Sequence, residues 1–199
     1  MLYRGLTVID SLAIVTIMLI PLVPLFWIPV HGLSKLFKRL GIFTYITPMI
    51  TWLPIAWLIY VNRTVILRYK LDIPATVQVM GVLVFLVGVL LQIWTIKLLG
   101  GWRIMGLPEV TNIMESRIIM AGPFTVIRHP TYLSHTIMFI GVFLISGVIA
   151  LGIITLLDVI IVNLFVIPLE DRELIERFGD DYRRYKSRVP AFFPGLSKK

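Results

Sequence analysis

The chain has 199 residues, of which 58% are hydrophobic and only 15% charged, and its mean hydropathy is +0.91. A soluble domain of this size has no core large enough to hide that much apolar surface, and a chain this apolar is not intrinsically disordered, so the composition predicts one all-α, polytopic membrane domain over residues 1–199. Cysteine is absent, which excludes disulfides, thiolate nucleophiles and cysteine metal sites, and the net charge of +8 points to anionic lipid headgroups rather than nucleic acid.

Taken in chain order, residues 7–99 hold three expected spans. The first apolar run, residues 7–30, is too long for a signal-peptide core and reads as a membrane helix bent or ended by Pro21, Pro24 and Pro29. A basic loop with His31, Lys35, Lys38 and Arg39 follows. The second run, residues 42–61, is interrupted by Pro48 and Pro54; the third, residues 73–99, has Pro74 near its first turn, where proline is tolerated. Residues 100–131 form a connector with no strong helical period, and a long loop in a compact protein is usually functional. Residues 132–168, about 37 in all, are too many for one span and right for a hairpin of two, with Gly147 and Gly152 bracketing its turn. Residues 169–199 are charged and read as a tail helix to about Ser187.

That makes five spans. Fifteen of the 19 basic residues fall on the side of the first loop, the connector and the tail; only Arg4, Arg63, Arg68 and Lys70 fall on the other. The asymmetry predicts a cytoplasmic connector, tail and active site, with the amino terminus outside. No internal repeat suggests a transporter of duplicated halves.

Three groups of residues stand out. Arg128, His129 and Tyr132 sit where the fourth span begins, with Pro130 near its first position. They either anchor the helix at the headgroups or, with the free N–H groups of a helix start, form a fork for a carboxylate or phosphate. Glu170, Asp171 and Glu173 follow the last span; they either cap the first turn of a tail helix or grip a cation or sugar hydroxyls. Inside the spans lie Gln92, His135, Asp158 and Asn163. Intramembrane acids are functional candidates by default, although Asp158 protonated on a backbone carbonyl is the bland alternative. His135 and Asn163 fall at similar depth and are expected to bond across the hairpin. The three histidines are scattered and lack the spacing of a metal-binding helix, so no metal is expected.

The ordered set Gly122-Pro123-Phe124, Arg128-His129-Pro130-x-Tyr132, a helical hairpin, Glu170-Asp171-x-x-Leu174, Phe178-Gly179-x-x-Tyr182-x-x-Tyr185, Val189-Pro190 and Pro194 resembles the C-terminal half of the isoprenylcysteine carboxyl methyltransferases and the related phospholipid methyltransferases. The resemblance runs from Leu99 to Pro194. It implies S-adenosylmethionine as cofactor and a lipophilic substrate reaching the site from the bilayer. It also implies that Glu170 and Asp171, with His129, Tyr132 and Gln92, bind the cofactor, and that Arg128 or Arg172 orients the acceptor beside Glu170. A carboxylate acceptor needs no general base, whereas an amine would need one, such as Glu170, Glu173 or His129. The family pattern has two glutamates where this chain has Glu170-Asp171. The carboxyl methyltransferases also carry an arginine four residues earlier, where this chain has Val166, so the resemblance leaves the acceptor open. A phospholipid N-methyltransferase and an NADPH-dependent sterol reductase are the alternative readings.

Overall fold

The computed structural model describes residues 6–111 and 117–192. Arg4, Pro194, Lys198 and Lys199, which entered the reading above, lie outside the described residues. The described residues are almost wholly helical, in twelve α-helices: α1 (Val8–Leu19), α2 (Leu22–Gly32), α3 (Ser34–Leu40), α4 (Ile46–Val61), α5 (Arg63–Ile66), α6 (Ala75–Leu99), α7 (Gly101–Ile104), α8 (Leu107–Val110), α9 (Pro130–Ser146), α10 (Ile149–Ile161), α11 (Ile167–Phe178) and α12 (Asp180–Arg188).

Some prolines mark helix boundaries and others lie within helices: the run 42–61, expected to be interrupted by Pro48 and Pro54, holds both in one unbroken helix, α4. Pro21 separates α1 from α2, Pro29 lies inside α2 and Pro54 inside α4; Pro74 precedes α6 and Pro130 opens α9. Thr7 caps α1 with its hydroxyl while Asp10 returns the bond to the Thr7 backbone N–H. The basic segment after the first span is not a loop but helix α3.

Four helical stretches are long and apolar enough to cross a membrane: Val8–Gly32, Ser34–Val61, Ala75–Leu99 and Ile149–Phe178. The fifth expected span, Pro130–Ser146, is apolar but has 17 residues, about 26 Å of helix. Large apolar side chains such as Leu83, Leu86, Val87, Leu90, Leu156 and Leu164 are exposed along these helices, as a lipid-facing surface requires. The protein is a multi-pass integral membrane protein.

The α6–α9 pair is the most extensively packed, and small residues set its separation. A Cβ on Gly141 would lie 2.6 Å from the Phe85 backbone nitrogen, and one on Gly88 would lie 2.9 Å from the Ser134 carbonyl oxygen. Gly147 ends α9 with φ +66°, its N–H bonded to the Phe143 carbonyl, and so makes the hairpin turn. Gly152, expected to bracket that turn, lies inside α10 because Gly147 and Val148 complete the reversal alone.

At this end of the bundle Lys70 pairs with Asp10, and the Leu71 N–H bonds the Gly147 carbonyl. The connector and the tail lie at the opposite end. There the expectation of a new helix at Leu169 fails. A single π turn, Val162–Val166, joins α10 to α11 without a break, so Glu170 and Asp171 sit inside a continuous helix whose N–H groups are already engaged. These acids cap no helix start. The expected His135–Asn163 bond is also absent. Asn163 donates to the Val159 carbonyl on its own helix, whereas His135 stacks on Phe139.

Candidate functional site

Ile127–His129 enters α9 beside the returning tail. The Arg128 and His129 N–H groups donate to the Pro190 and Ala191 carbonyls at 2.9 and 3.3 Å. The Tyr185 hydroxyl donates to the Phe124 carbonyl at 2.7 Å, and Phe192 packs with Tyr132, Val166 and Ile167. The chain order that separates residue 128 from residue 190 is thus closed by backbone pairing and one apolar cluster.

Asp171 is the hub of this closure. Its side chain is 4% exposed and accepts from Arg128 Nη2 at 2.9 Å and from the Tyr182 hydroxyl, while Lys186 Nζ lies 3.0 Å away and His129 Nε2 3.2 Å away. Arg128 also donates to the Val189 and Lys186 carbonyls. The guanidinium read from sequence as an acceptor fork is largely committed to holding the tail.

His129 stands between the two acids, with Nδ1 3.4 Å from Glu170 Oε2. Burial pulls its pKa down, but the Glu170 charge and the Asp171 bond outweigh that pull and lift it to about 9. The ring is therefore an imidazolium at neutral pH, a charge partner rather than a base. Burial and the neighbouring Asp171 charge likewise push the Tyr182 hydroxyl up, so it stays a donor.

A cavity of about 190 Å³ opens beside this network, between the start of α9, the connector, α11 and α12. Glu170, His129, Tyr132 and Arg128 line it. The other sequence candidates lie elsewhere. Asp171 backs the wall without lining it. Gln92 accepts from Ser134 across the α6–α9 contact and does not reach the cavity. Arg172 is 77% exposed and pairs with Glu176 one turn on, facing away.

The cavity also takes residues that the sequence reading did not single out, Trp27 from the first span, Arg103 and Glu109 from the connector and Arg177, together with His135, expected there to bond Asn163, and Tyr182, quoted there only within the motif. Arg177 lies 3.0 Å from Glu109 and pairs with Glu173, and burial raises the Glu109 carboxyl against the pull of Arg177. No spacing in the chain links residue 109 to residue 177.

Several buried polar atoms in the lining lack a hydrogen-bond partner: Glu109 Oε2, Arg128 Nε and His135 Nδ1. Buried polar groups are rarely left so, and an acceptor beside a donor suits a ligand bearing both signs of charge. Tyr132, Phe124, Phe178 and Tyr185 add flat apolar faces. Among the described residues no three His, Asp or Glu side chains gather as a metal site would require.

Val166 is fully buried against Tyr132, Ile167 and Phe192, so an arginine at that position would have to displace apolar core.

The profile of the phospholipid methyltransferase family matches residues 76–181, just over half of the chain. Methanethiol S-methyltransferase 1 of Bradyrhizobium diazoefficiens is 35% identical over 100 residues, which cover 47% of this chain and 34% of that protein. The nickel-cobalt-cadmium resistance protein NccN of Alcaligenes xylosoxydans xylosoxydans is 32% identical over 90 residues, 44% of this chain and 41% of that one. The cobalt-zinc-cadmium resistance protein CzcN of Cupriavidus metallidurans is 28% identical over 88 residues, 44% of this chain and 40% of that one. The matches thus span about a third to two fifths of these relatives' lengths. No solved structure matches the chain.

Proposed function

The chain belongs to the phospholipid methyltransferase family, and from that premise we propose that it transfers a methyl group from S-adenosylmethionine to the carboxylate of a lipophilic acceptor drawn from the bilayer, at the cytoplasmic end of the bundle. The single observation that carries this reading is Glu170: a buried carboxylate lining the cavity and paired through Oε2 with an imidazolium 3.4 Å away. That carboxylate suits the ammonium or ribose hydroxyls of the cofactor, and the aromatic faces suit its adenine. When bound, the cofactor supplies a methyl carbon activated on a positive sulfur.

The residues of this chain then supply position and dryness. His129, itself braced by Asp171, pairs with Glu170 and holds it in place. Tyr132 and Trp27 close the apolar side, toward which an acceptor tail would point. Arg103 and Arg117 line the cavity from the connector and are placed to pair with an anionic head. An acceptor carboxylate attacks through its own oxygen, so no proton has to move. Opposite charges neutralise as the new bond forms, and this favours a site of low polarity; alignment alone can contribute about 7–11 kcal/mol.

A second reading is a protic acceptor, a thiol or an amine. The likeness to a methanethiol S-methyltransferase favours the thiol, and His135, whose Nδ1 has no partner, is the imidazole placed to take the proton. The test is methyl transfer from labelled S-adenosylmethionine to prenylcysteine analogues, fatty acids, alkane thiols and phosphatidylethanolamine in parallel. Base-labile methanol release with activity surviving His135→Gln is expected. A base-stable thioether or methylamine as the sole product, lost in His135→Gln, overturns carboxyl methylation. Failure of folded protein to bind labelled S-adenosylhomocysteine overturns the cofactor.

A further inference from the structure

A second cleft lies outside the methyl-transfer site, within the membrane part of the bundle, between α2, α4 and α10. It has a volume of about 580 Å³, and Ile20, Leu25, Thr51, Ile55, Asp158 and Ile161 are among the residues lining it. Asp158 is nine residues from the start of α10 and ten before Pro168, so it sits about 14–15 Å from either end, near the middle of the bilayer. It is only 5% exposed, and its Oδ1 has no hydrogen-bond partner. No basic side chain lines the cleft.

The remaining polar groups of the wall are acceptors too. Pro24 and Pro29 have no N–H, so the carbonyls of Ile20 and Leu25 four residues earlier lose their usual helical donor, and both residues line the cleft. Thr51 spends its hydroxyl proton on the Thr47 carbonyl and offers only its oxygen. With Asp158 deprotonated, its carboxylate and the proline-freed carbonyls form an acceptor set without a donor. Buried polar groups of this kind are ordinarily satisfied, and in a membrane the partner has to be protein or a bound molecule.

The geometry points to a binding site for a lipophilic primary amine, its ammonium on Asp158 and its chain along the apolar wall. An ammonium carries three donors and no acceptor, which matches the acceptors named above, and its charge would pair with the Asp158 carboxylate. An alcohol would supply a single donor, and a quaternary ammonium would supply charge without any. The site is separate from the cavity at Glu170, and its occupation does not depend on what that cavity methylates.

The test uses the full chain in mild detergent at pH 7.5, with dodecylamine as probe and dodecanol and dodecyltrimethylammonium as comparators at equal mole fraction of detergent. Dodecylamine is expected to raise the thermal midpoint by several degrees, dodecanol and dodecyltrimethylammonium by less than half as much. Asp158→Asn, nearly isosteric, is expected to abolish the difference. Ile55→Trp, which fills the cleft and leaves the carboxylate in place, is expected to do the same and serves if Asp158→Asn does not fold. No rise in the wild type, an equal rise with either comparator, or an unchanged response in a folded variant overturns the proposal.

Discussion

Two regions of α9 are held by different physics. Along its contact with α6 the helices meet through glycine: Gly81, Gly88 and Gly141 leave no room for a Cβ, and close packing does the work. Where α9 begins, the same helix is held by charge: Asp171 gathers Arg128, His129, Tyr182 and Lys186 around one carboxylate. The first contact is indifferent to pH and sensitive to volume. The second tolerates little loss of charge, because removing one partner strands the others in a buried setting. The difference makes the start of α9, beside the cavity, sensitive to protonation and its contact with α6 sensitive to volume.

That contrast can be broken most forcefully at Asp171. Asp171→Ala strands the Arg128 and His129 charges and should cost about 3–5 kcal/mol. Chemical denaturation in detergent should show it, together with release of the tail as faster proteolysis after residue 178.

Next comes pH. The His129 pKa is raised to about 9 from an ordinary 6.5. Its charge therefore contributes stability that is fully present below about pH 6.5 and is lost as pH rises through about 9. By linkage the loss approaches about 3 kcal/mol. The stability difference between the wild type and His129→Gln should shrink by that order between pH 6.5 and 9.5. A difference flat across this range would mean that the imidazole is neutral.

Gly88→Ala sharpens the other side of the comparison. Its Cβ would fall 2.6 Å from the Met138 side chain and 2.9 Å from backbone, so overpacking of about 1–3 kcal/mol is expected, equal at pH 6.5 and 9.5. Arg172→Ala should be nearly silent, within about 0.5 kcal/mol in stability, because its pair with Glu176 is solvent-exposed. Unaltered methyl transfer by that variant would separate it from Arg103 and Arg117, whose replacement by alanine should raise the acceptor KM.

Much of this was readable along the chain. The proline positions, the helical run from Ala75 to Leu99 and the reversal at Gly147 follow from local rules that hold in any context. The motif around Arg128–Tyr132 and Glu170-Asp171 pointed to the family and to one wall of the cavity. The individual roles were less legible. Arg128 and Asp171 were both candidates for the ligand, yet they satisfy each other. Gln92 was drawn toward the site by its polarity, and it instead finds Ser134 on the neighbouring helix.

The sequence by itself determined the membrane class, the helical segments and the family, and it marked Glu170 and His129, which line the cavity. Each depends on composition, on breakers and caps, or on residues close together in the chain. Only the tertiary structure decided that α10 runs unbroken into α11, that Glu109 and Arg177 meet across the cavity, that Arg172 faces away, and that Asp158 faces a largely apolar cleft. Those outcomes depend on where a helix face points after packing. A rotation of about 100° per residue means that adjacent acids such as Glu170 and Asp171 are sent to different surroundings by the contacts their helix makes.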